Sequence, residues 1–91
     1  MYNYLVDVSK CETEEELHRV LRDSLEFPDF YGMNLDAFWD CITGFMGVPA
    51  TITLRGVSRA DKEIQEELRH VLRIIERAIK MYGEIVLLLE E

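Results

Sequence analysis

The sequence predicts an α/β fold, a single small domain in which a three-stranded parallel sheet packs with helices. Two observations carry this. Three short apolar segments are separated by helix-patterned stretches, in the order strand, helix, helix, strand, helix, strand. Parallel strands need crossover connections, and helical stretches between short strands supply them. A third observation is size: 91 residues with 48% hydrophobic content can build one core without a metal or a disulfide. No repeat, linker or low-complexity stretch divides the chain, so residues 1–91 are expected to form one domain.

Tyr4-Leu5-Val6-Asp7-Val8 reads as the first strand, short and β-branched. Thr13 opens the first helix: Thr13-Glu14-Glu15-Glu16 is a capping box that also places three acids at the positive end of the helix dipole. Leu17, Val20, Leu21 and Leu25 recur at helical spacing as its buried stripe. Pro28 ends that segment, because the residue before a proline is pushed out of the helical region. The loop Asp29-Phe30-Tyr31-Gly32-Met33 leads to Asn34, a good N-cap, and a helix from Leu35 to about Thr43 stops at Gly44. After Pro49, Ala50-Thr51-Ile52-Thr53-Leu54 reads as the second strand. Ser58 or Asp61 caps a long helix with apolar positions Ile64, Leu68, Val71, Leu72, Ile75, Ala78 and Ile79, and Gly83 sits where a C′ glycine belongs. The run Ile85-Val86-Leu87-Leu88-Leu89 is expected to be a strand covered on both faces.

Charge narrows the function. Eighteen Asp and Glu against ten Lys and Arg give a net charge of −8. A nucleic-acid binder gains affinity by neutralising phosphates and needs the opposite sign; an anionic membrane surface is disfavoured for the same reason. Acidity alone also serves solubility, but it favours rapid encounter with a basic partner. No apolar run approaches the 18 or so residues of a membrane span. The N-terminus Met1-Tyr2-Asn3-Tyr4 lacks the charged and apolar regions of a secretory signal, so a cytoplasmic location is expected. Cys11 and Cys41 read as free, buried thiols, and no Cys/His cluster marks a metal site.

The most informative segment is the helix after Asn34. On a wheel, Leu35, Phe38, Ile42 and Phe45 fall on one side as a core stripe, while Asp36, Asp40 and Thr43 fall opposite with Trp39 at their edge. Aspartates four apart repel one another by about 0.2–0.5 kcal/mol in an isolated helix, and a face meant only for solvation is better built from Glu and Lys. Short acids beside Trp39, with Phe30 and Tyr31 just upstream and small Gly44 after them, fit a binding patch for a cation-rich groove. The same wheel also fits an ordinary surface with Trp39 tucked into a crevice. Paired carboxylates can do acid–base chemistry or bind a cation. Here no His, Cys or third acid stands in register with them, so neither an enzyme nor a cofactor is expected. His18 reads as a packed structural residue and His70 as a surface one.

The run Pro28-Asp29-Phe30-Tyr31-Gly32-Met33-Asn34-Leu35-Asp36-Ala37-Phe38-Trp39-Asp40-Cys41-Ile42-Thr43-Gly44 resembles the signature of the barstar family, intracellular inhibitors of the ribonuclease barnase. The resemblance implies a non-enzymatic inhibitor that binds a basic, secreted bacterial ribonuclease 1:1, with no nucleic acid, membrane or cofactor. It implies that Asp40 enters the enzyme's phosphate pocket as a mimic of an RNA phosphate. Asp36 then pairs with further basic residues, and Phe30 packs over the catalytic histidine. Tyr31, Asn34, Trp39, Thr43 and Gly44 are expected on the same surface. Two departures stand out: Phe30 replaces the family's tyrosine, and Arg77 and Met81 replace acids of the last helix. Glu76, adjacent to Arg77, is the acid left to serve that arm. A related reading keeps the fold and acidic face but assigns them to an immunity protein for a different toxin, or to another protein-interaction domain.

Overall fold

The computed structural model describes residues 1–91. Its elements follow the expected order: β1 (Tyr2–Asp7), α1 (Glu14–Ser24), α2 (Leu35–Gly44), β2 (Ala50–Arg55), α3 (Gln65–Tyr82) and β3 (Ile85–Glu90). Two short 3₁₀ turns, Val57–Arg59 and Lys62–Ile64, lie between β2 and α3. Asp61 caps the second of them, accepting from Glu63 N–H at 2.9 Å, and α3 continues directly from it. The three strands pair in parallel in the order β1-β2-β3.

The local signals act as their chemistry requires. Thr13 Oγ1 accepts from Glu16 N–H at 3.1 Å, and Glu16 Oε1 accepts in return from Thr13 N–H at 3.2 Å, completing the capping box. Gly83 adopts φ 69°, and its N–H donates to Ile79 carbonyl at 2.8 Å, so the left-handed residue that ends α3 carries no Cβ penalty. Leu68, Val71, Ile75 and Ala78 of α3 are buried, as are Leu17 and Leu21 of α1 and Leu25 just after it.

These helical stripes meet one face of the sheet. Tyr4, Val6, Ala50, Ile52, Leu54 and Ile85 are buried there, at aligned register positions. The opposite face is open, which corrects the expectation that β3 is covered twice. Val86 and Leu88 are about half exposed, and so is Leu5 on the same face of β1, across Thr53 from Leu88. β3 is an edge strand of a sheet whose helices pack on one side, and a continuous apolar run cannot reveal that its second face lacks a cover. The last register row of the open face, Asp7, Arg55 and Glu90, is polar, with Arg55 Nε donating to Glu90 Oε1 at 2.6 Å.

Phe38 fixes α2 to the body of the protein. It is fully buried, with its ring 5.9 Å from that of Phe27, which in turn lies 5.2 Å from Tyr31. Burying a phenylalanine contributes about 1.5–3 kcal/mol, and Cys41 and Ile42 are buried on the same ten-residue helix. The residues opposite Phe38 are thereby presented outward.

Candidate binding face

α2 and the loop before it build the candidate face. Asn34 starts the helix: its Oδ1 accepts from Ala37 N–H at 2.8 Å, while its Nδ2 donates to Gly32 carbonyl at 3.2 Å. The turn that delivers the chain to this cap places Met33 at φ 58°. Gly32 packs closely there, and a Cβ at its position would lie 3.2 Å from Ala37 Cβ.

Asp36 and Asp40 are both exposed, and neither carboxylate has a hydrogen-bond or ion-pair partner within the chain. Asp36 gains from the helix N-terminus; Asp40, a turn further in, gains much less. Asp40 stands between two hollows. One lies between α2 and α3, bordered by Leu35, Asp36, Trp39, Asp40, Ile74 and Arg77. The other lies between the loop and α2, bordered by Phe30, Tyr31, Gly32, Ala37, Asp40, Cys41 and Phe45. An unpaired carboxylate on a ridge, with an aromatic hollow on one side and a second carboxylate on the other, can accept several donors from a basic surface. Cys41 lies beneath it; burial first, then the charge of Asp40, push its thiol up from the ordinary range.

Phe30 is 71% exposed and meets Phe45 edge-on, with ring centroids 5.4 Å apart. Phe45 itself is 55% exposed, which corrects its placement on the core stripe. Helical periodicity stops at the C-cap, and Phe45 has φ −125° just past the end of α2. Phe45 thus joins the face as an aromatic support for Phe30, a role the wheel concealed.

Tyr31 is different: only 5% of it is exposed, and its ring belongs to the Phe27–Phe38 cluster. Its hydroxyl lies 2.6 Å from His18 Nδ1, and His18 Nε2 lies 2.8 Å from Glu67 Oε2. With the hydroxyl donating to Nδ1 and Nε2–H donating to the carboxylate, each buried atom has its partner. Burial, reinforced by the Cys41 thiol and the Glu67 carboxylate, pushes the Tyr31 hydroxyl well above its ordinary value. Placing Tyr31 on the exposed surface is therefore corrected: it braces the loop from beneath. Loop composition alone does not say which of two adjacent aromatics turns inward.

Trp39 is half-buried against the core, and the Arg77 guanidinium carbon lies over its ring, 5.0 Å from the centroid. Thr43 Oγ1 donates to Trp39 carbonyl at 2.7 Å, one turn earlier. Gly44 is exposed, with nothing within 4 Å of where a Cβ would stand. Thr43 and Gly44 border a separate depression with Tyr82 and Glu84, further along α2. Glu76 is exposed on α3 but does not border the hollow of Asp36 and Asp40; Arg77 takes that place.

No group of three or more His, Cys, Asp or Glu side chains is arranged to hold a metal ion. No helix is long and apolar enough to cross a membrane. The chain matches the family model described as Barstar (barnase inhibitor) over residues 1–87. It is 38% identical over 78 residues to "Putative ribonuclease inhibitor YrdF" of Bacillus subtilis (strain 168), an overlap covering 86% of each chain. With the parallel three-stranded fold and an acidic, aromatic helix face already described, these matches make the chain a member of the barstar family of ribonuclease inhibitors, and not an enzyme.

Proposed function

We propose that this protein is an intracellular inhibitor of a basic, secreted, barnase-type ribonuclease, binding it 1:1 and occluding its active site with α2 and the loop before it. In this reading Asp40 substitutes for an RNA phosphate, Asp36 pairs with neighbouring cations, and the Phe30 ring packs over the enzyme's catalytic histidine. The observation that carries it is the Asp40 carboxylate, exposed and unpaired on the ridge between an aromatic hollow and a second free carboxylate.

The mechanism is occlusion. A face prepared before encounter loses little conformational entropy on docking, and α2 is held by Phe38 while Asn34, Gly32 and Tyr31 fix its entry. The net charge of −8 accelerates approach to a basic enzyme, and the aspartates then replace substrate phosphate at its cations. Titration of barnase activity with the purified protein tests this. The expected result is a linear fall to zero at one equivalent, without added metal. Full activity of barnase under a large excess would refute the inhibitor reading for that enzyme.

A further inference from the structure

We propose that Arg77 binds a carboxylate on the surface of the captured ribonuclease, so that the face fits a partner carrying both signs of charge. This rests on the inhibitor reading above and adds to it the chemistry of the partner's rim.

The hollow between α2 and α3 holds opposite charges that do not meet. Asp36 and Asp40 border one side of it, and Arg77 borders it from α3. Arg19, Arg22, Arg55 and Arg69 each have an acid within 4 Å; Arg77, like Arg59 and Arg73, has none, and of these three it is the one that borders the hollow of Asp36 and Asp40. It stacks on the face of Trp39. That contact orients the guanidinium while consuming none of its N–H donors, which remain as a planar fork suited to a carboxylate. The two aspartates likewise keep their acceptor sites free.

A uniformly basic surface docked against Asp36 and Asp40 would face Arg77 as a like charge, and such juxtapositions oppose binding. An RNA phosphate would satisfy Arg77 but would be repelled by the adjoining carboxylates. A protein surface that places an Asp or Glu beside its basic cluster satisfies all three groups at once. Arg77 is then a specificity determinant, favouring nucleases with that acid and disfavouring those without it.

Barnase serves as the probe. Each exposed Lys or Arg around its active site is changed singly to Glu, and every form is titrated against the parent protein, Arg77→Ala and Arg77→Lys. Double-mutant cycles separate local pairing from the general gain in acidity. Trp39 is the single tryptophan of the chain, so a changed emission of free Arg77→Ala reports loss of the stacked guanidinium independently of any partner. The expected result is at least one barnase Glu form whose coupling to Arg77 exceeds about fivefold in Kd, reduced in Arg77→Lys because an ammonium lacks the fork. Inhibition of every form with no coupling above about twofold would overturn this proposal alone. Absence of inhibition of all forms by the parent protein and both variants would overturn the inhibitor reading with it.

Discussion

Removing a single oxygen from Tyr31 probes how the binding loop is braced. In Tyr31→Phe the ring keeps its place against Phe27 and Phe38, so the packing term is nearly unchanged. What disappears is the 2.6 Å contact with His18 Nδ1, in a site where His18 is 1% and Tyr31 5% exposed. His18 Nδ1 then has no side-chain partner in a buried site. An orphaned buried polar atom costs about 1–3 kcal/mol. For a chain of 91 residues each kcal/mol corresponds to about 4–8 °C in melting temperature. Urea and thermal unfolding of the variant beside the parent measure this, and an unchanged urea slope shows that the native fold is retained. The pH dependence supplies a second readout. The Tyr31 hydroxyl is held above its ordinary value of 10.0, so its neutral form is favoured in the folded protein. That contribution to stability is complete below pH 10 and is lost as pH rises from there toward the folded value. Tyr31→Phe should therefore flatten the alkaline loss of stability. A destabilisation below about 0.5 kcal/mol, with an alkaline limb identical to the parent's, would refute the bracing role.

Three further outcomes follow from the same geometry. Cys11 and Cys41 are buried and their thiols are pushed up, mainly by burial, so neither should react with a thiol reagent at neutral pH until the protein is unfolded; rapid labelling of the native chain would contradict their placement. Phe30→Ala removes an exposed ring, so the melting temperature should hold within about 0.5 kcal/mol of stability, while ribonuclease affinity falls by roughly tenfold or more. Equal affinity would remove Phe30 from the interface. Association with a basic ribonuclease should slow as salt rises, because exposed charges are screened over about 8–10 Å near physiological ionic strength. A rate constant indifferent to salt in stopped-flow mixing would eliminate steering by the −8 charge.

What the sequence revealed was local. The capping box at Thr13, the N-cap at Asn34 and the C′ glycine at position 83 each involve atoms within a few residues, and all three form as read. The stripe of α3 repeats over 18 residues, long enough for periodicity to be unambiguous. Contacts fixed by tertiary placement were not legible. The His18–Tyr31–Glu67 chain joins residues 13 and 49 positions apart, so no window contains it. Phe45 was misplaced because a wheel extrapolated past Gly44 describes a helix that has already ended. The open face of β3 depends on which side the helices choose, and the continuous apolar run Ile85–Leu89 carries no record of that choice. Arg77 meets Trp39 only because α2 and α3 pack together; the sequence showed an unexpected sign at that position but not its neighbour.

The central claim is that Asp40 acts as a phosphate at the enzyme's cations, and one substitution tests it. Asp40 has no partner in the free protein and lies four residues from Asp36, so Asp40→Ala should leave stability unchanged or raise it by a few tenths of a kcal/mol. In the complex the same truncation removes charge-assisted bonds and strands the enzyme's cations. The cost is about 2–5 kcal/mol, a range for which the barnase–barstar pair is itself a reference case, or roughly 30-fold to several thousand-fold in Kd. Asp36→Ala should lose less. The decisive measurement is the inhibition constant of Asp40→Ala against barnase beside its thermal melt. An inhibition constant weakened by orders of magnitude with an unshifted melt is the predicted result. Inhibition as tight as the parent's would contradict phosphate mimicry by this residue.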